Sequence, residues 1–119
     1  MKTIKLFLLI AMITTISGTV IAQTTSGNSG NQKTETFKVW GNCNMCKARI
    51  EKAVKSDGAA AADWNVKSKL LTVTFDPSKT SVDSFSKKLA SVGHDTEKYK
   101  ADDKAYNALD DCCQYTREK

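Results

Sequence analysis

Long apolar runs, histidine, proline and clustered positive charge are all scarce in this chain of 119 residues. Its main apolar stretch, from Leu6 to Ile13, falls well short of the roughly 20 residues that a membrane-spanning helix needs, and polar Thr14, Thr15, Ser17 and Thr19 follow it. A single histidine, His94, leaves no group evidently placed to act as a base beside a thiol nucleophile. A single proline, Pro77, punctuates the chain once, after Phe75-Asp76. Lys and Arg never gather into a run and aromatics are not interleaved with them, which argues against nucleic acid as a partner. No segment repeats, so the chain reads as one module. Asp102, Asp103, Asp110 and Asp111 lack the alternating oxygen-ligand spacing of a calcium loop and read as helix-end and solvated acids.

Residues 1–22 read as a signal peptide. Lys2 and Lys5 form a short basic region, an apolar stretch follows, and Val20-Ile21-Ala22 permits cleavage before Gln23. No cysteine lies near that point to carry a lipid anchor. Lys2 and Lys5 are two of the 18 basic residues, so the mature chain holds 16 against 13 acidic ones, a net charge of +3 spread as an ordinary solvated surface. Residues 23–33 are rich in Thr, Ser, Gly, Asn and Gln and read as a flexible linker. The expected product is an exported protein, periplasmic in a Gram-negative bacterium and otherwise secreted, not embedded in a membrane and monomeric.

What the chain does have is Gly41-Asn42-Cys43-Asn44-Met45-Cys46-Lys47, at the point where an extended segment gives way to a helical pattern. Cys46, Ile50, Ala53 and Val54 make the apolar stripe of that helix, so Cys46 belongs to its first turn and Cys43 to the loop before it. Free backbone N–H groups and the positive end of the helix dipole stabilise a thiolate there, and Lys47 adds a nearby positive charge. Two such thiols can hold one soft metal ion, exchange as a redox pair, or close into a structural disulfide. Neither cysteine is expected to be needed by the core.

Further along, Asp57-Gly58 ends the helix. Ala60, Ala62, Trp64 and Val66 alternate with polar or small residues as a half-buried strand, and Lys67-Ser68-Lys69 reverses the chain. Leu71, Val73 and Phe75 form an antiparallel third strand. A second helix begins near Thr80-Ser81, with Thr80 and Asp83 as its capping box and Val82, Phe85, Leu89 and Val92 as its stripe, and it ends at Gly93. A fourth strand is expected over residues 94–98. The order is that of an α+β, ferredoxin-like βαββαβ sandwich, with a four-stranded antiparallel sheet and two helices on one face. Residues 99–119 add a tail with a short helix over residues 102–109, followed by Cys112-Cys113.

Over residues 34–98 the chain resembles the heavy-metal-associated domain of copper chaperones, metal-transporting ATPases and the periplasmic mercury-binding protein. The likeness rests on the strand–Cys-x-x-Cys–helix junction, the run from Cys46 to Glu51, the hairpin from Asp63-Trp64-Asn65-Val66 to Val73-Thr74-Phe75-Asp76-Pro77, and the closing Val92-Gly93-His94. Two features depart from the pattern. The family's Gly-Met-x-Cys-x-x-Cys loop is one residue longer, and its methionine packs beneath the loop, whereas here the methionine, Met45, lies between the cysteines. The cysteine-bearing tail is not part of the basic pattern.

The resemblance implies a non-enzymatic carrier or sequesterer of a thiophilic ion, foremost Cu(I), with Hg(II), Zn(II) and Cd(II) open, held by Cys43 and Cys46. It implies a metal-transporting ATPase, or another thiol-bearing donor or acceptor, as partner. His94 reads either as a further ligand or proton-sensitive neighbour, or as an exposed loop residue. Cys112 and Cys113 read as extra soft ligands or as disulfide partners, and Met45 as a thioether ligand or a cover for apolar surface. Trp40 and Trp64 read as packing residues, with Trp40 on the outer sheet face. To reach Cys43 and Cys46, the tail must run back along the domain. The competing functions are a thiol–disulfide oxidoreductase and a disulfide-stapled interaction domain. The first needs extra sheet and helix elements and a cis-proline, and Pro77 sits at a strand exit leading to a helix.

Overall fold

The computed structural model describes residues 31–119, so the expected signal peptide and most of the expected linker lie outside the described residues. The first strand, β1, covers Lys33–Lys38 and so begins at the last residue assigned to the linker. Helix α1 (Asn44–Ser56) follows, then strands β2 (Ala61–Trp64) and β3 (Leu70–Phe75), helix α2 (Val82–Ser91) and a short helix α3 (Asp103–Asn107). A single 3-10 turn, Asp111–Cys113, completes the tail.

Period-two alternation decides which way each strand faces. Phe37 on β1, Trp64 on β2, and Leu71, Val73 and Phe75 on β3 are buried beneath the helices. The opposite face is wet: Thr34 meets Thr74, and Thr36 meets Thr72, through hydroxyl pairs at 3.0 and 3.1 Å. The strands run antiparallel in the order β1-β3-β2, with Phe37 opposite Leu71 and Trp64 opposite Leu71 on its other side. The reversal between β2 and β3 is held by Asn65, whose Oδ1 accepts from the backbone N–H groups of Lys67 and Ser68.

The helices bury the stripes read from sequence. Ile50, Ala53 and Val54 of α1, and Phe85 and Leu89 of α2, close the core, and Phe85 packs edge-on against Phe75. The cap of α2 lies one residue later than expected. Ser81 is the N-cap, and its hydroxyl accepts from Ser84 N–H, so Thr80 and Asp83 do not form the box.

The sheet has three strands among the described residues, not four. The segment expected as the fourth meets β1's continuation through one bridge, Val39 opposite Thr96, and through Trp40 N–H donating to Asp95 O. It goes no further because its polar groups are engaged elsewhere. Asp95 N–H donates to the Tyr115 hydroxyl, and Thr96 and Tyr99 bond to each other, which turns the chain back on itself. The segment occupies the place of a fourth strand but is fastened by the tail.

Candidate metal centre

Between β1 and α1 the chain passes close over an aromatic floor. Trp64 is fully buried, and its Nε1–H donates to Val39 O at 3.0 Å. A Cβ on Gly41 would lie 3.0 Å from two carbons of that indole and 3.1 Å from the Cys46 Cβ, so the loop needs glycine there. Trp64 thus fills the place beneath the loop where the resemblance puts a methionine. Cys43 is the N-cap of α1, in extended conformation, and its carbonyl accepts the Lys47 N–H. Cys46 lies one turn in and is fully buried, so it is part of the core after all. Its sulfur accepts Asn42 N–H at 3.3 Å and lies 3.6 Å from the Cys43 sulfur.

The tail reaches this loop. After turning at Tyr99 it passes Asp95, where Ala101 N–H donates to the carboxylate. It then packs on Gly93, at φ +100°, where an added Cβ would meet Ala105 O at 2.8 Å and Leu109 at 2.9 Å. The 3-10 turn then brings Cys112 and Cys113 each to 3.7 Å from the Cys43 sulfur and 3.9 Å from each other. The thiol groups of Cys43, Cys112 and Cys113 all lie within 4.8 Å of one another. All four cysteines are free thiols; Cys46 and Cys113 are buried, Cys112 is exposed, and Cys43 is intermediate.

The charges differ from expectation. Lys47 is turned away to carboxylates, with its Nζ 2.6 Å from Asp63 and 3.3 Å from Glu51, and it also donates to Trp64 O. The cation beside the tail thiols is Arg49, held 3.3 Å from Asp110; burial lowers its pKa, but neighbouring Cys113 and Asp110 outweigh that and raise it. Burial raises the pKa of Cys43. Hydrogen bonding with the Cys46 backbone N–H and with the thiols of Cys46, Cys112 and Cys113 more than offsets it and brings it down to about 7. Cys112 is pushed up by its hydrogen bond to Cys43, and Cys113 is pushed well up, first by burial and then by its neighbouring thiols. One proton therefore leaves the cluster readily, from Cys43.

His94 is not an exposed loop residue. It is fully buried and stacked on Tyr115, with ring centroids 5.9 Å apart, and it bonds through Nδ1 to Trp40 O at 2.9 Å. A carbonyl can only accept, so Nδ1 carries the proton. Burial lowers the His94 pKa, and the residue stands outside the three-thiol group. Met45 is 51% exposed, and its sulfur lies 3.4 Å from the Cys112 sulfur. Trp40 lies on the outer face with Lys38 Nζ 4.5 Å over its ring.

Sequence reasoning passed over the residues that fasten the tail. Asp95 is buried; its carboxylate accepts two bonds from Arg117, at 3.0 and 2.9 Å, besides the Ala101 N–H. The Tyr115 hydroxyl accepts from Asp95 N–H and donates to Gly93 O, both at 2.8 Å. Tyr106 donates to Tyr115 O, and Arg117 also donates to Ala101 O. The available signal was Tyr115-x-Arg117 shortly after the paired cysteines, with Tyr115 an aromatic in an otherwise polar terminus.

The heavy-metal-associated domain model matches residues 36–95. A copper-exporting P-type ATPase of Staphylococcus saprophyticus subsp. saprophyticus is 34% identical over 68 residues, which are 56% of this chain and 9% of the ATPase. The chain thus spans under a tenth of that curated relative. Among solved structures, a CopZ metallochaperone superposes with a TM-score of 0.51 at 30% identity, over 54% of this chain and 98% of its own. Oxidized MerP from Ralstonia metallidurans gives a TM-score of 0.52 at 31% identity, over 56% and 94%.

Proposed function

This chain belongs to the heavy-metal-associated domain family, and we propose that it is an exported carrier or sequesterer of a soft metal ion, with Cu(I) as its cargo. The carrying observation is the Cys43–Cys46 pair at the start of α1, with sulfurs 3.6 Å apart and one thiol already acidified to about 7. Thiolates select soft ions over the hard cations that prefer oxygen, and a site of few ligands lets a partner's thiols attack in sequence. The copper-exporting ATPase among its relatives supports copper as the cargo. It also supports a thiol-bearing transporter domain as the partner. Among the described residues no helix is long and apolar enough to cross a membrane. Export rests on the sequence of residues 1–22, and the secreted form should begin at Gln23 on N-terminal sequencing.

The test is competition for Cu(I) against a chromogenic chelator. Wild-type protein should bind one Cu(I) tightly, and Cys43→Ser with Cys46→Ala should abolish tight binding. Alanine is chosen at Cys46 because a serine hydroxyl there would be buried in the core. Unchanged affinity in a variant that keeps its circular dichroism would refute the reading. The oxidoreductase alternative is disfavoured because β2 and β3 follow α1 directly as a hairpin. Catalysed insulin reduction above the rate of a free dithiol would restore it.

A further inference from the structure

We propose that Cys112 and Cys113 are ligands of the same ion as Cys43 and Cys46, making the centre a three- or four-sulfur site closed by the tail. The inference rests on the copper-binding reading above and adds ligands outside the region that the family model matches.

Sulfur geometry carries it. At a metal–sulfur bond of about 2.3 Å, a linear two-sulfur site needs its sulfurs ~4.6 Å apart, while trigonal and tetrahedral sites need ~4.0 and ~3.8 Å. Cys43 and Cys46 stand at 3.6 Å, which at that bond length closes the sulfur–metal–sulfur angle to roughly 105°. Such an angle leaves one side of an ion open, and the tail thiols are placed beside the same sulfur. Cys43, Cys112 and Cys113 form a triangle with sides of 3.7, 3.7 and 3.9 Å. Its centre lies roughly 2.2 Å from each sulfur, close to a thiolate bond length. Cys46, against Cys43, is the fourth sulfur.

The tail's placement does not depend on sulfur. Arg117 on the Asp95 carboxylate, the Tyr115 hydroxyl between Asp95 and Gly93, and Tyr106 on Tyr115 O fasten the chain on both sides of the paired cysteines. The ordering cost is therefore met by the fold before any ion arrives, and the added thiols act at high effective concentration. Arg49, beside Cys113, offsets the negative charge that a third and fourth thiolate bring. The exposed Cys112 is the sulfur that solvent or a partner can reach first, while Cys113 is sealed. Such a centre retains its ion and favours sequestration over rapid hand-over.

The experiment uses the mature protein loaded with one Cu(I). X-ray absorption should count three or more sulfurs in the wild type. Cys112→Ser, at an exposed position, and Cys112→Ser with Cys113→Ala should each lower the count. The double variant should lose roughly a hundredfold in affinity by chelator competition and release Cu(I) faster to a dithiol. A two-sulfur wild-type centre, or unchanged sulfur count and affinity in both variants, overturns the inference and leaves the Cys43–Cys46 reading standing. Failure of the wild type to bind Cu(I) tightly overturns both.

Discussion

Cys43 is the sulfur that each of the other three touches, and this contact makes it unlike an ordinary surface cysteine. Its pKa of about 7 means that about half is thiolate at neutral pH, against about 3% for a free cysteine. Cys112 and Cys113 are shifted upward and stay protonated there. Iodoacetamide on the reduced, metal-free protein should therefore modify Cys43 first, with a rate that rises with pH and is half-maximal near pH 7. Peptide mapping that finds Cys112 labelled first, despite its greater exposure, would contradict this. Tyr115 is the other residue whose setting decides its role, because its hydroxyl accepts the buried Asp95 N–H at 2.8 Å. Tyr115→Phe should cost about 1–3 kcal/mol in urea unfolding by leaving that buried donor unpaired. The acidity of Cys43 was partly legible in sequence, from its place before a helix. The expected cation was not, since Lys47 is spent on Glu51, one helical turn on, and on Asp63, which only the fold brings near.

At the scale of elements, α1 does two things at once. Its buried stripe fixes it to the sheet, and its first turn presents Cys46 inward and Cys43 at the rim. That double duty follows from helical periodicity alone and was readable from the spacing of Cys46, Ile50, Ala53 and Val54. The contact between α2's end and α3 was not readable. Gly93 looked like a helix stop, and its φ of +100° suits that, but it is also the seat on which Ala105 and Leu109 rest. Gly93→Ala should therefore cost more than an ordinary left-handed alanine, at least about 2 kcal/mol, because backbone Ala105 O cannot give way cheaply. Thermal unfolding would measure the loss, and limited proteolysis should cut residues 101–119 first. An unshifted melting temperature would mean that the tail does not rest on this glycine.

For the whole molecule, the tail is part of the domain and not an appendage. Ala101, Leu109, Cys113 and Tyr115 are buried with the rest of the core, and Asp95 ties the family-matched region to Arg117 near the C-terminus. Ending the chain after Lys100 removes Leu109 and Tyr115, each worth about 1.5–3 kcal/mol when fully buried. The truncated protein should melt more than about 10 °C below the same protein with its tail intact by differential scanning calorimetry. Equal melting temperatures would show that residues 34–98 are self-sufficient. Because truncation strips core as well as sulfur, the point variants at Cys112 and Cys113 are the cleaner probes of metal binding.

Local periodicity and turn chemistry determined the first five elements, the inward and outward strand faces and the position of Cys43 and Cys46, because those features depend on residues close together in the chain. The fourth strand was decided by competition at long range. His94, Asp95 and Thr96 had the pattern to pair with β1, yet Tyr115 and Arg117, about 20 residues on, engage Asp95 and limit the pairing to one bridge. The four-thiol assembly is likewise a product of tertiary structure. Cys43 and Cys113 are 70 positions apart. Nothing local to either sets a distance of 3.7 Å, which follows from a folded-back tail seated on Gly93 and clamped to Asp95.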